Sequence, residues 1–241
     1  MPTAAEPRAA LVLGGSGGIG LAIATMLAEE GYALTVQGRR AERVEAAVAG
    51  LGPAGGIVAG AVADLAEESE IARVVAAHAE RHGRLDVLVD SAGLGIGQSL
   101  TKIEARHLDL QTAVNFRAAV LALREARPLL EAAGAEHGKA LVCLVSSWAA
   151  VHSPAWLSVY GATKAALDGF ARSAQIELEG KGIQVTSVSP STVETEMTGY
   201  AQKEIGAAKM LRPTDVAEVV RMLLRLSPAC RVPEVQIGRA A

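Results

Sequence analysis

Short, mostly apolar runs alternate with longer amphipathic stretches along the whole chain. The runs fall at residues 9–14, 33–37, 57–62, 85–89, 140–145, 183–189 and 234–237. Unbroken runs such as AALVLG and IVAGAV predict strands buried on both faces of a parallel sheet. Between the runs, LAIATMLAEE, residues 41–51 and 67–82, QTAVNFRAAVLALREA, and residues 158–180 and 214–226 carry helical patterns. Thr214 or Asp215 would cap the last of these. Strand and helix alternate with no linker, internal repeat or low-complexity tract. The expectation is one α/β domain over residues 1–241, with three αβα layers around a doubly wound, seven-stranded parallel sheet. Residues 191–212 lack a firm pattern, with Gly199 and Gly206 inside them and Pro213 just beyond, and read as a mobile lid.

Composition narrows the class. Hydrophobic residues make up 50% of the 241 and charged ones 20%, enough apolar material for a large core and against disorder. A net charge of −3 leaves no basic footprint for nucleic acid or an anionic membrane. Cys143 and Cys230 stand in apolar contexts without metal-ligand spacing, so buried, reduced thiols and no metal site are expected. The apolar run from Ala9 to Leu13 is too short for a signal peptide, and no run is long enough to span a bilayer. The expected protein is soluble and cytoplasmic.

Candidate chemistry gathers where the expected strands end. The first strand runs into Gly14-Gly15-Ser16-Gly17-Gly18-Ile19-Gly20 and then a helix. Glycines in that place let backbone approach a pyrophosphate, and the helix N-terminus offers free N–H groups to it. The second strand ends at Gly38-Arg39-Arg40, with no acid to take the ribose hydroxyls of NAD. Two arginines there suit the extra phosphate of NADP, so NADP(H) is the expected cofactor and NAD(H) the alternative; a solvated pair opening the next helix is the other reading. Asp64-Leu65, past the third strand, would lie beside an adenine ring or supply the N-cap of helix 67–82. Ser91, Ala92 and Gly93 follow the fourth strand and again allow a cofactor against backbone.

The fifth strand delivers Ser146 and Ser147 at its C-terminal end, and the next helix carries Tyr160 and Lys164. Four residues apart, these two stand on one helix face. The ammonium is expected to draw the phenol below its ordinary ~10, ready to exchange a proton with a carbonyl or alcohol oxygen. Both tryptophans, Trp148 and Trp156, lie between the serine and the tyrosine, with His152 beside them. They read as a hydrophobic wall for a substrate, or else as core. Asn115, alone on its helix, is by itself only a polar face residue.

Together these motifs resemble the short-chain dehydrogenase/reductase family over essentially the whole chain, bacterial 3-oxoacyl-(acyl-carrier-protein) reductases among its members. The resemblance implies a Rossmann fold, and hydride transfer between a nicotinamide and a carbonyl carbon. It makes Asn115, Ser147, Tyr160 and Lys164 a catalytic tetrad, with Tyr160 the acid, Lys164 also on the nicotinamide ribose, and Asn115 keeping a proton-returning water chain. The segment from Pro190 through Val193 to Thr195 would hold the carboxamide. It also implies a homodimer or homotetramer, for which helices 107–130 and 158–180 offer apolar faces. An NAD-dependent alcohol dehydrogenase and a non-catalytic NADP-sensing scaffold are the rival readings. The chain departs from the family pattern at Leu13 (usually threonine), Gly17 (often basic where NADP is preferred), Asp90 (usually asparagine), Ser191 (usually glycine) and its C-terminal VQIGRAA.

Overall fold

A computed structural model describes residues 7–52 and 57–240, with the side chains of 202–204 left out. The described residues form seven strands: β1 (Ala9–Leu13), β2 (Ala33–Gly38), β3 (Val58–Val62), β4 (Val87–Asp90), β5 (Ala140–Val145), β6 (Ile183–Pro190) and β7 (Glu234–Ile237). They pair in the order β3-β2-β1-β4-β5-β6-β7, every pairing parallel. Among the described helices are α1 (Gly18–Glu29), α2 (Ala41–Leu51), α3 (Glu68–His82), α4 (Ala105–Thr112), α5 (Ala118–His137), α6 (Ser158–Glu177), α7 (Gly199–Ile205) and α8 (Pro213–Arg225).

The unbroken apolar runs are explained by burial on two sides. Leu11 and Leu13 face one layer with Ile71 of α3, Ala126 of α5 and Leu167 of α6. Their neighbours Ala10 and Val12 face the other, with Leu27 of α1, Ala47 of α2 and Val220 of α8. Helices therefore cover both faces of a doubly wound, Rossmann-like sheet, as the strand–helix alternation predicts. The strand order reverses between β1 and β4, so the loops leaving these two neighbours part and open a crevice at their C-terminal ends. That crevice receives the glycine loop, Ser91–Gly93 and Ser147.

Two helix-end expectations change, and residues 191–212 take a definite local conformation. Asp64 does not cap α3; its carboxylate accepts from the Ala66 amide 3.0 Å away, and Glu67 occupies the N-cap. The last long helix begins at Pro213, whose fixed φ suits a first helical position, and Asp215 reaches back to the Arg212 amide at 2.8 Å. Residues 191–212 carry real structure: a 3-10 turn at Glu196–Thr198, α7, another turn at Ala207–Lys209, and a bridge from Val193 to Leu211. Among the described residues, no helix is long and apolar enough to cross a membrane, and no three metal-ligating side chains form a cluster.

Candidate active site

The crevice is built by glycine. Gly14 adopts φ +70°, and its amide is held by the Gln37 side chain at 2.9 Å; the Gly15 amide bonds the Gln37 carbonyl at 2.9 Å. Gln37 also donates to the Ala63 carbonyl, so one buried amide on β2 fastens the loop to the β3 end. A Cβ on Gly20 would sit 2.3 Å from both the Gly14 carbonyl oxygen and the Ser91 hydroxyl, and one on Gly14 would sit 2.7 Å from the Ala92 nitrogen. Only glycine permits this contact of backbone on backbone. Gly17 caps α1 without any side-chain acceptor, so the first amides of a twelve-residue helix are left to a ligand. A dinucleotide pyrophosphate fits this cradle in shape and charge. Leu13, despite lacking a hydroxyl, engages Ser91 through its main-chain carbonyl at 2.8 Å.

A cavity of about 1000 Å³ runs from this loop along the ends of β4, β5 and β6. It is lined by Gly14, Ser16, Gly17, Gly18, Ile19 and Gly20, by Ser91–Gly93, by Ser147, Tyr160 and Lys164, and by Pro190, Val193 and Thr195. These expected site residues, drawn from five separate segments, thus share one wall. Trp148 and Trp156 line the same cavity and are 39% and 42% exposed, so they are not core. Each leans on a neighbour, Trp148 on His152 and Trp156 edge-on against Tyr200 at 5.2 Å. Asn115, Arg39, Arg40, Asp64 and Leu65 lie outside the lining. Leu65 is packed into the core, and Arg39 and Arg40 are exposed just past β2.

The polar groups meet at the β5–α6 junction. Buried Lys164 donates from Nζ to the Val145 carbonyl at 2.7 Å, and this nitrogen stands 6.0 Å from the Tyr160 ring centre. The expectation that Lys164 lowers the tyrosine is not met in this arrangement. Burial pushes the Tyr160 phenol above its ordinary value, and what opposes the rise is a hydrogen bond with Ser147. Desolvation falls on the phenolate and outweighs what favours it, and the Lys164 charge is not among the groups that oppose the rise. Ser147 also accepts from the Ala149 amide at 3.1 Å, which fixes its hydroxyl oxygen at the end of β5.

Asn115 reaches this cluster through a π-helical turn, Ala113–Arg117, inserted between α4 and α5. The wider turn sets its amide against the loop after β4. Oδ1 accepts from the Leu94 amide at 2.8 Å, while Nδ2 donates to the Leu94 carbonyl and to the Thr163 hydroxyl. With both amide hydrogens engaged, the side chain clamps the loop beside Gly93. Sequence reasoning missed Gln37 and Arg43. The only signal for Gln37 is a lone amide in an apolar strand; Arg43 reads as an ordinary helix-surface charge.

Asp90, at the end of β4, is 3% exposed, and burial pushes its carboxyl up to about 6. The Lys164 charge and the Ala92 amide, 3.0 Å away, oppose that rise. Since the folded value lies above the ordinary 3.8, ionisation is disfavoured by the fold. The penalty is absent below 3.8 and fully developed above about 6. Asp90→Asn is therefore expected to stabilise the protein near neutral pH by up to about 3 kcal/mol, less whatever Lys164 loses with its counter-charge. Urea unfolding at neutral pH and near pH 4 checks this; a gain of the same size at both would assign it to packing instead.

A glycine cradle at the switch point of a parallel sheet, opening onto a serine, a tyrosine and a buried lysine, defines an NAD(P)-dependent oxidoreductase. The chain belongs to the short chain dehydrogenase family, which matches residues 8–206. It is 36% identical over 199 residues to oxidoreductase asL5 of Sarocladium schorii, covering 83% of this chain and 77% of that one. A short chain dehydrogenase from Burkholderia cenocepacia, solved in complex with NADP, superposes with a TM-score of 0.87 at 30% identity over 96% of both chains. A 3-ketoacyl-(acyl-carrier-protein) reductase from Brucella melitensis, solved with NADH, superposes with a TM-score of 0.88 at 25% identity over 97% of both.

Proposed function

We propose that this protein uses NADP(H) to interconvert an apolar ketone and a secondary alcohol, with Tyr160 as the acid–base group. When bound, the nicotinamide supplies the hydride that a carbonyl carbon accepts. The observation that carries the reading is that Ser147, Tyr160 and Lys164 line the same cavity as the glycine cradle. A carbonyl oxygen placed between the two hydroxyls would receive the Tyr160 proton as negative charge develops on it. Ser147 would donate to that oxygen, a preorganised contact typically worth ~10²–10³ in rate. Because Tyr160 is raised, it is fully protonated at neutral pH, the state a general acid needs for reduction.

The apolar substrate is supported by the two half-exposed tryptophans and by Met197 and Tyr200 on the same cavity wall. A 3-oxoacyl chain fits this wall, as do other apolar ketones. A panel of purified ketones and 3-oxoacyl thioesters, followed by NADPH oxidation, tests the reading; turnover confined to charged, hydrophilic carbonyls would defeat it.

The cofactor preference is supported by Arg39, exposed directly after β2 with no acid beside it. Arg39→Ala is expected to weaken NADPH by tenfold or more while sparing NADH, since a charge-assisted phosphate contact is worth roughly 1.5–3 kcal/mol. Titrating both cofactors into wild type and variant measures it, and equal wild-type affinities would sink the preference.

A further inference from the structure

Gly17 leaves a gap in the glycine loop, and an arginine from another segment stands at its edge. A Cβ built on Gly17 meets one heavy atom within 4 Å, Nη1 of Arg43, at 3.9 Å. Arg43 belongs to the first turn of α2, four residues after Arg39. Its guanidinium lines the cavity at the end next to β2, in the space that a long side chain at position 17 would enter. This is the end at which a doubly wound fold reads the ribose of a dinucleotide.

Arg43 is engaged from across the crevice. Glu196, one residue past Thr195, accepts from Nη1 at 2.8 Å and from Nη2 at 2.6 Å. Arg40 stands 3.8 Å from the same carboxylate. The Glu196 side chain is 74% exposed, and the Arg43 bond holds its carboxyl below the usual range. An exposed pair of this kind is weakly held and salt-sensitive. A phosphate dianion carries more charge and a third acceptor oxygen, so it outcompetes a carboxylate for a guanidinium fork.

We propose that Arg43 is a specificity-determining residue for the 2′-phosphate of NADP(H), supplying the cation that Gly17 lacks, with Glu196 holding it in place until phosphate displaces the carboxylate. The inference rests on the NADP(H) reading above and adds two residues to it.

The test is calorimetric titration of 2′,5′-ADP, NADPH and NADH into the wild type, Arg39→Ala, Arg43→Ala, Arg43→Lys and Glu196→Gln. Arg43→Ala should weaken 2′,5′-ADP and NADPH roughly tenfold or more, and NADH less than about twofold. Arg43→Lys should fall between, since lysine keeps the charge but not the fork. Glu196→Gln should tighten the two phosphate ligands by about two- to fivefold and leave NADH unchanged, because it removes only the competitor. Equal losses for NADPH and NADH in Arg43→Ala would make Arg43 a structural strap and overturn the proposal. So would no loss with either, or weaker NADPH binding in Glu196→Gln. If Arg39→Ala alone abolishes the preference, the NADP(H) reading stands and Arg43 falls. A wild type that binds both cofactors equally and ignores 2′,5′-ADP defeats the reading and the inference together.

Discussion

Tyr160→Phe is expected to lower ketone turnover by ~10²–10⁴ and to leave cofactor affinity within about twofold of wild type. The variant loses one oxygen. The ring still packs against Gly95, whose Cβ position lies 3.6 Å from it, so cavity shape is kept. The pH profile gives an independent reading. With the phenol raised above 10.0, the acid form persists through neutral pH, and reduction should decline only as pH rises through that elevated value. Ser147→Ala removes the bond that favours the phenolate, so the alkaline limb should move to still higher pH while turnover drops by ~10²–10³. Near-normal reduction by Tyr160→Phe on a verified substrate would end the assignment of Tyr160 as the acid.

Lys164→Met should separate from Tyr160→Phe by damaging binding as well as turnover. Methionine retains most of the volume at a buried position but removes the ammonium, which stands 3.5 Å from where a Gly93 Cβ would lie. The Val145 carbonyl loses its partner at the end of β5, and Ser147 two residues on loses part of its support. Asp90 also loses the opposite charge that restrains its rise above about 6. On the proposed reading, in which Lys164 serves both proton chemistry and cofactor binding, turnover is expected to fall by ~10² or more and cofactor affinity by about tenfold. Rapid-mixing kinetics alongside cofactor titration check it; an unchanged affinity would confine Lys164 to the chemistry.

Much of this site is legible without coordinates because it is written in short-range patterns. Two-sided burial makes the strands apolar throughout, and the helical repeat marks what connects them, so strand count, parallel sense and single-domain architecture follow from periodicity. The glycine spacing and the Tyr160–Lys164 interval are equally local. Each places groups by strand pleat or helix turn, within a few residues. Helix ends are less legible: Asp64 looks like a cap and instead closes its own turn, and α8 starts one residue early because Pro213 suits the first position.

Direction and environment belong to the tertiary structure. That Lys164 points at a carbonyl, and that Tyr160 is raised instead of lowered, depends on how deeply α6 packs onto β5. Asn115 meets Leu94 across 21 residues because a π turn rotates it there, and no composition signal marks that turn. Arg43 finds Glu196 across 153 residues of chain. The sequence alone determined which residue types stand at which strand ends, since secondary structure and local spacing are near-neighbour physics. The tertiary structure alone decided the charge state and partner of each group, because desolvation and hydrogen bonding depend on segments that only folding brings together.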